Sequence, residues 1–256
     1  EIMKKHKSNE LFCALMALGV VLTVPEIVLA QYGQGGEGFL FQTPKVSFAF
    51  SLGYSIPNAK SDIFDFAQEQ LTLEKSDFHR SYKGGEFAIR LADHLDLVAG
   101  VGHSTSTLPS EFRDWVDSYD LPIEQETIFS TTPVTVSARY YLSDRGRQIG
   151  RFAWVPKRLA PFIGAGAGVI WYKFEQVGDF VDFETRDIFY DRFISKGTAA
   201  QAHAFAGMDI SLNKSVFLTA EGRYRWGRGE LGRDFVDFDK MDLAGTQFTV
   251  SIGARF

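Results

Sequence analysis

Between Phe248 and Phe256 apolar and polar residues alternate one for one. Phe248, Val250, Ile252, Ala254 and Phe256 fall on one side, and Thr249, Ser251, Gly253 and Arg255 on the other. Only an extended strand can use a period of two, because its successive side chains point to opposite faces. The alternation recurs in seven earlier segments. Residues 45–54 set Val46, Phe48, Phe50, Leu52 and Tyr54 against Ser47, Ala49, Ser51 and Gly53. A second strand opposes Phe87, Ile89 and Leu91 to Glu86 and Arg90 and turns tightly at Asp93-His94. A third then opposes Leu95, Leu97, Ala99 and Val101 to Asp96, Val98, Gly100 and Gly102. The fourth alternates Val134, Val136, Ala138, Tyr140 and Leu142 with Thr135, Ser137, Arg139 and Tyr141. In the fifth, residues 161–175, a run containing Gly164, Gly166 and Gly168 has no decisive parity, and Ile170, Tyr172 and Phe174 then alternate with Trp171, Lys173 and Glu175. The sixth opposes Ala202, Ala204, Ala206, Met208 and Ile210 to Gln201, His203, Gly207, Asp209 and Ser211. The seventh opposes Leu218, Ala220, Tyr224 and Trp226 to Thr219, Glu221, Arg223 and Arg225.

Eight strands result, with long connections after the first, third, fifth and seventh and short ones after the second and sixth. That rhythm predicts an all-β fold: an eight-stranded antiparallel up-and-down transmembrane β-barrel, greasy outside and polar within, rather than a sandwich. Tyr54, Trp171, Tyr172, Phe174, Tyr224 and Trp226 gather toward the long loops, and Tyr140, Tyr141 and Phe256 toward the other rim, as two aromatic girdles would.

Composition adds limits. A net charge of -5 over 256 residues gives no basic excess, and so no expectation of nucleic acid. Twenty-four Phe and twenty-four Gly against four Met favour strands over helices. After residue 30 no window approaches the roughly 18 apolar residues of a helical span. Residues 1–30 read as a cleaved signal peptide: Lys4, Lys5 and Lys7 are basic, residues 11–24 are apolar, and Val28-Leu29-Ala30 offers a cleavage site. Residues 31–44 read as a periplasmic leader and 45–256 as the barrel. Cys13, the sole cysteine, falls in the signal, so no disulfide or thiol chemistry is expected downstream.

The closing strand resembles the C-terminal signature of Gram-negative outer-membrane barrels, in which a terminal aromatic such as Phe256 is read by the assembly machinery. The chain as a whole resembles small eight-stranded barrels of the OmpA, OmpX and OmpW type. The piece Thr132-Pro133-Val134-Thr135-Val136 to Tyr140-Tyr141-Leu142, followed by Pro161-Phe162-Ile163-Gly164-Ala165-Gly166, is most similar to the OmpW-like branch. This resemblance implies a porin-like cell-surface protein of the outer membrane, with long loops extracellular and both mature termini periplasmic. It also implies contact with membrane lipids and lipopolysaccharide, and a monomer.

The inward face collects Glu86, Arg90, Asp96, Arg139, Lys173, His203, Asp209, Glu221, Arg223, Arg225 and Arg255. Eight strands enclose only enough room for side chains, so these groups are expected to pair with one another and plug the lumen. A basic connector, residues 143–159, is expected near acidic headgroups. The long loops share an acidic-aromatic motif. Asp179-Phe180-Val181-Asp182-Phe183 recurs as Asp234-Phe235-Val236-Asp237-Phe238, with variants around Asp62, Phe64, Asp65 and Phe66 and around Asp114 and Trp115. These side chains either pack a cap over the barrel or form a binding surface for Ca²⁺, lipopolysaccharide or a surface partner. Gly164, Gly166 and Gly168 lack the third glycine of a dinucleotide fingerprint and are followed by strand residues, so they read as close packing. An enzyme is not expected: a lipid A deacylase-type His-x-Ser pair on His103 would need serine where Thr105 stands. No cofactor is expected. A structural or surface-interaction role is the first reading. An OmpW-like conduit for small hydrophobic molecules is the second, a lipid A-modifying barrel the third, and a soluble lipocalin-type barrel the remaining alternative.

Overall fold

A computed structural model describes residues 38–151 and 153–256; the expected signal peptide and the first part of the leader lie outside the described residues. The strands are β1 (Val46–Pro57), β2 (Arg80–Arg90), β3 (Leu95–Val116), β4 (Pro122–Tyr141), β5 (Gly146–Ile149), β6 (Ala153–Pro156), β7 (Leu159–Val181), β8 (Ile188–Ser211), β9 (Val216–Gly229), β10 (Met241–Asp242) and β11 (Gly245–Arg255). A helix, α1 (Asp62–Gln70), and a 3₁₀ turn (Lys75–Phe78) lie between β1 and β2, and a second 3₁₀ turn (Arg233–Phe235) lies between β9 and β10. The order β1-β2-β3-β4-β7-β8-β9-β11 closes on itself, because β11 pairs with β1 from Ser47↔Arg255 to Pro57↔Gly245. All of these pairings are antiparallel, so the ring leaves no free edge around its circumference.

The eight expected strands are the eight of the ring, and their parity is largely the one the alternation gives. Phe50, Leu52, Val101, Val136, Ile163, Phe248 and Val250 face outward and are exposed, while Ser51, Asp96, Arg139, His203, Glu221 and Arg255 face inward and are buried. Small residues on the inward face of β7 make room for bulk from its neighbours: a Cβ on Gly164 would collide with the Phe205 ring.

Strand length divides the ring. β1, β2, β9 and β11 have 12, 11, 14 and 11 residues, close to the roughly 9–11 a tilted strand needs to cross a bilayer. β3, β4, β7 and β8 have 22, 20, 23 and 24. Much of the sequence expected as loop, residues 102–132 and 175–201, is therefore strand, and these four continue past the short strands as an upright sheet. Against its inner face pack α1, both 3₁₀ turns and β10, joining Ile63, Phe64, Leu71, Phe78, Phe235 and Met241 to Phe112, Phe129, Ile170, Phe174 and Phe180 in one apolar core. Phe64 lies within 6 Å of the rings of Phe78, Phe129 and Phe174, at 5.0, 5.4 and 5.9 Å between centroids.

This core explains the main departures from the sequence reading. In the belt apolar residues point outward; above it the same strands turn apolar residues inward. Tyr172 and Phe174 are accordingly buried inside rather than in the girdle, and Lys173 stands on the outward face, not in the lumen. Trp171 and Trp226 do face outward at the long-loop rim. At the opposite end Tyr140 is exposed, but Tyr141 is buried within the barrel. The basic connector forms the hairpin β5–β6, whose Trp154 is buried and joined to Leu40 by two backbone hydrogen bonds of 2.9 and 2.8 Å.

Candidate functional site

Three layers fill the barrel. The lowest lies at the short-turn end. Asp96 on β3 accepts a hydrogen bond of 2.7 Å from Arg145, which reaches in from the connector. Asp209 on β8 accepts from the Tyr141 hydroxyl at 2.8 Å and from Thr219 at 2.6 Å. Arg255 donates to Ser211 at 3.0 Å and lies over the rings of Phe217 and Trp154. Arg90, at the edge of this layer, pairs with Asp93 in the turn at 2.9 Å.

The middle layer is a closed quartet. Arg139 on β4 reaches Glu86 on β2 at 2.6 Å and Glu221 on β9 at 3.4 Å. Arg223 on β9 reaches Glu86 at 2.8 Å and Glu221 at 2.7 Å. Each carboxylate thus meets both guanidiniums, and the two charges of each sign cancel. The Phe162 ring lies 4.5 Å from Arg139, and the Phe205 ring 4.9 Å from Arg223, adding cation–π contacts to the quartet. His203 stands beside the quartet with Nε2 2.8 Å from the Ser137 hydroxyl. Above it are Arg225, which donates to Ser55 at 3.3 Å, and Arg80, which donates to the Phe129 carbonyl at 3.3 Å and stacks over that ring at 3.8 Å. The top layer is the apolar core.

Of the inward residues expected from sequence, all but Lys173 line the barrel interior or its mouth. Lys173 instead forms an ion pair with Glu175, which also pairs with Arg192. Burial opposes the charge on Glu175, but hydrogen bonds from Lys173 and Arg192 outweigh it and hold the carboxyl below its ordinary value. Three inward residues escaped the sequence reading: Arg80, Tyr82 and Arg145. The first two continue the even-numbered series of Glu86 and Arg90, so parity could have found them, as it put Tyr141 on the face of Arg139. Nothing in the pattern of residues 143–159 marks Arg145 as folding inward.

The acidic-aromatic motifs divide by residue type. Phe64, Phe180 and Phe235 are buried in the apolar core, Phe66 packs on Phe238 at 5.5 Å, and Trp115 packs on Phe183 at 6.1 Å. Several of the carboxylates hold the backbone. Asp62 accepts from the amides of Ile63 and Asp239, and Asp234 from that of Ile194. Asp182 accepts from Glu184 and Thr185, and these bonds keep its carboxyl below the usual range. Asp65, Asp114 and Asp237 are exposed, and Asp179 is half-buried at the end of β7. Among the described residues no group of three or more His, Cys, Asp or Glu side chains is arranged to hold one metal ion. The hairpin tips also carry exposed bulk: Tyr119 is 82% exposed, Tyr190 72% and Val236 78%.

A closed antiparallel ring of eight strands, apolar around its belt and filled with paired polar groups, has the architecture of a transmembrane β-barrel. Among solved structures the chain is similar to the outer membrane protein OprG from Pseudomonas aeruginosa, at 13% identity and TM-score 0.44 over 87% of this chain and 99% of that one. It is also similar to Neisserial surface protein A, at 12% and 0.44 over 82% and 96%. The N-terminal barrel domain of Pseudomonas aeruginosa OprF gives 13% and 0.38 over 84% and 100%. No protein-family model and no curated protein matches the chain.

Proposed function

We propose that the protein is a non-enzymatic, surface-displayed outer-membrane barrel that presents an aromatic and acidic hairpin surface while its own lumen stays shut. The observation that carries this reading is the closure of the interior by the charged quartet below and the apolar core above. Both layers are made from this chain's own side chains, and together they oppose passage of a solute along the axis. Continuous pairing around the ring argues equally against a lateral opening for hydrophobic molecules, and so against a conduit.

The long-loop end is the outward-facing one in this proposal. β3, β4, β7 and β8 lift Tyr119, Phe183 and Tyr190 well clear of the belt, where exposed aromatics have no bilayer to enter. Just beyond Trp171, Lys173 and Lys196 stand directly opposite each other on β7 and β8. Like charges facing across a strand pair oppose pairing, and an anionic lipid headgroup such as that of lipopolysaccharide would relieve the repulsion left after Glu175. A Tyr119→Cys variant in a Cys13→Ser background, treated on intact Gram-negative cells with a membrane-impermeant maleimide, tests the orientation. Labelling of protein in the outer-membrane fraction is expected; labelling only after lysis would overturn it.

A further inference from the structure

Charge does not balance between the quartet and the apolar core. The middle of the barrel holds four guanidiniums, those of Arg80, Arg139, Arg223 and Arg225, against the carboxylates of Glu86 and Glu221. The quartet uses both carboxylates, so Arg80 and Arg225 are left without a counter-ion. They are 4% and 6% exposed. Arg80 has the face of Phe129 and a carbonyl to spread its charge, although its Nε is unpartnered. Arg225 has one hydrogen bond, to the Ser55 hydroxyl, and its Nε is unpartnered. An unpaired buried charge is costly, and folded proteins rarely tolerate one without a partner.

Beside Arg225 lies a small polar cavity of about 10 Å³, bounded also by Tyr82, Gln201, His203 and Gln247 and, from the quartet, by Glu86 and Arg223, whose charges cancel. Its lining is short of partners. Both amide atoms of Gln201, Nδ1 of His203 and Nε of Arg225 are buried with no hydrogen bond. The Gln201 amide and the Arg225 guanidinium each offer a free donor, and His203 offers a third in the tautomer in which the Ser137 hydroxyl donates to Nε2. Water could accept from these donors, but it would leave the charge uncompensated. The volume suits a single atom and not a tetrahedral oxyanion.

We infer that the barrel holds one monatomic anion, a halide such as chloride, beside Arg225 and the Gln201 amide, between the charged quartet and the apolar core.

The test uses the whole folded barrel purified in detergent, in sodium chloride, bromide or gluconate at equal ionic strength. Halide is expected to raise the melting temperature saturably above gluconate, since a ligand that binds only the folded state stabilises it by mass action. Bromide-soaked crystals are expected to show an anomalous peak beside Arg225. Arg225→Gln should abolish both effects. Should that variant fail to fold, Gln201→Leu, which leaves the charge in place, is expected to raise the half-saturating chloride concentration about tenfold, the loss of one hydrogen bond to a charged group. Coincident melting curves in the three salts and no anomalous peak would mean a water-filled cavity and overturn the inference.

Discussion

At Arg139 two glutamates from different strands meet one guanidinium, and the value of the arrangement lies in its completeness. A buried ion pair contributes little beyond what a well-packed apolar pair would, yet removal of one partner leaves a charge that nothing solvates. That loss typically costs about 3–5 kcal/mol. Glu86→Gln, which removes the charge touching both Arg139 and Arg223, is therefore expected to destabilise the barrel by an amount of that order in urea unfolding from lipid vesicles. Glu86→Gln combined with Arg139→Met should recover part of the loss. Strictly additive penalties would show that the four side chains do not act as one unit. At this scale the sequence was mostly readable, because parity alone put Glu86, Arg139, Glu221 and Arg223 on one face. Which carboxylate meets which guanidinium followed only from the register of β2, β4 and β9 around the ring.

Among the elements, the extended hairpins were the hardest to read. Asp-Phe-Val-Asp-Phe occurs twice, and one copy finishes β7 and begins its turn while the other forms a 3₁₀ turn, so neighbours rather than the pentapeptide set its conformation. The β7–β8 hairpin is held near its tip by Asp182, capping its own turn, and lower down by Glu175 with Lys173 and Arg192. Both carboxyls lie below their ordinary values of 3.8 and 4.5 in the folded protein. A depressed carboxyl favours the folded form above its unfolded value, and this advantage disappears as pH falls through the folded one. Hairpin amide protection is expected to hold from neutral pH down to about 5 and to fall as acid takes the pH below 4.5. Lys173→Met should shrink the acid-dependent loss by bringing the folded Glu175 value back toward its ordinary one. A hairpin whose hydrogen exchange shows no such onset, after correction for the intrinsic rate, would refute this account.

For the whole molecule the question is whether the apolar core and the charged layers close the barrel independently. Phe64→Ala removes a ring at the centre of the core and is expected to cost about 3–5 kcal/mol there. Limited proteolysis should then cut between residues 58 and 79, while the ring still assembles, migrates as a folded species in unheated detergent gels and passes no measurable current in planar bilayers. Current through the variant would show that the quartet is no barrier. Failure to assemble would show that core and ring fold as one. The sequence by itself determined the ring: eight alternating segments, their inward and outward faces in the belt and the short turns between them, because a strand between lipid and lumen must alternate. Only the tertiary structure decided that the long loops are mostly strand and that Tyr172 and Phe174 turn inward while Lys173 turns outward. It alone placed Arg145 in the lowest layer. The reason is physical: beyond the belt water replaces lipid outside and α1 replaces polar filling inside, so the same alternation carries the opposite meaning. A local pattern cannot report which solvent it faces.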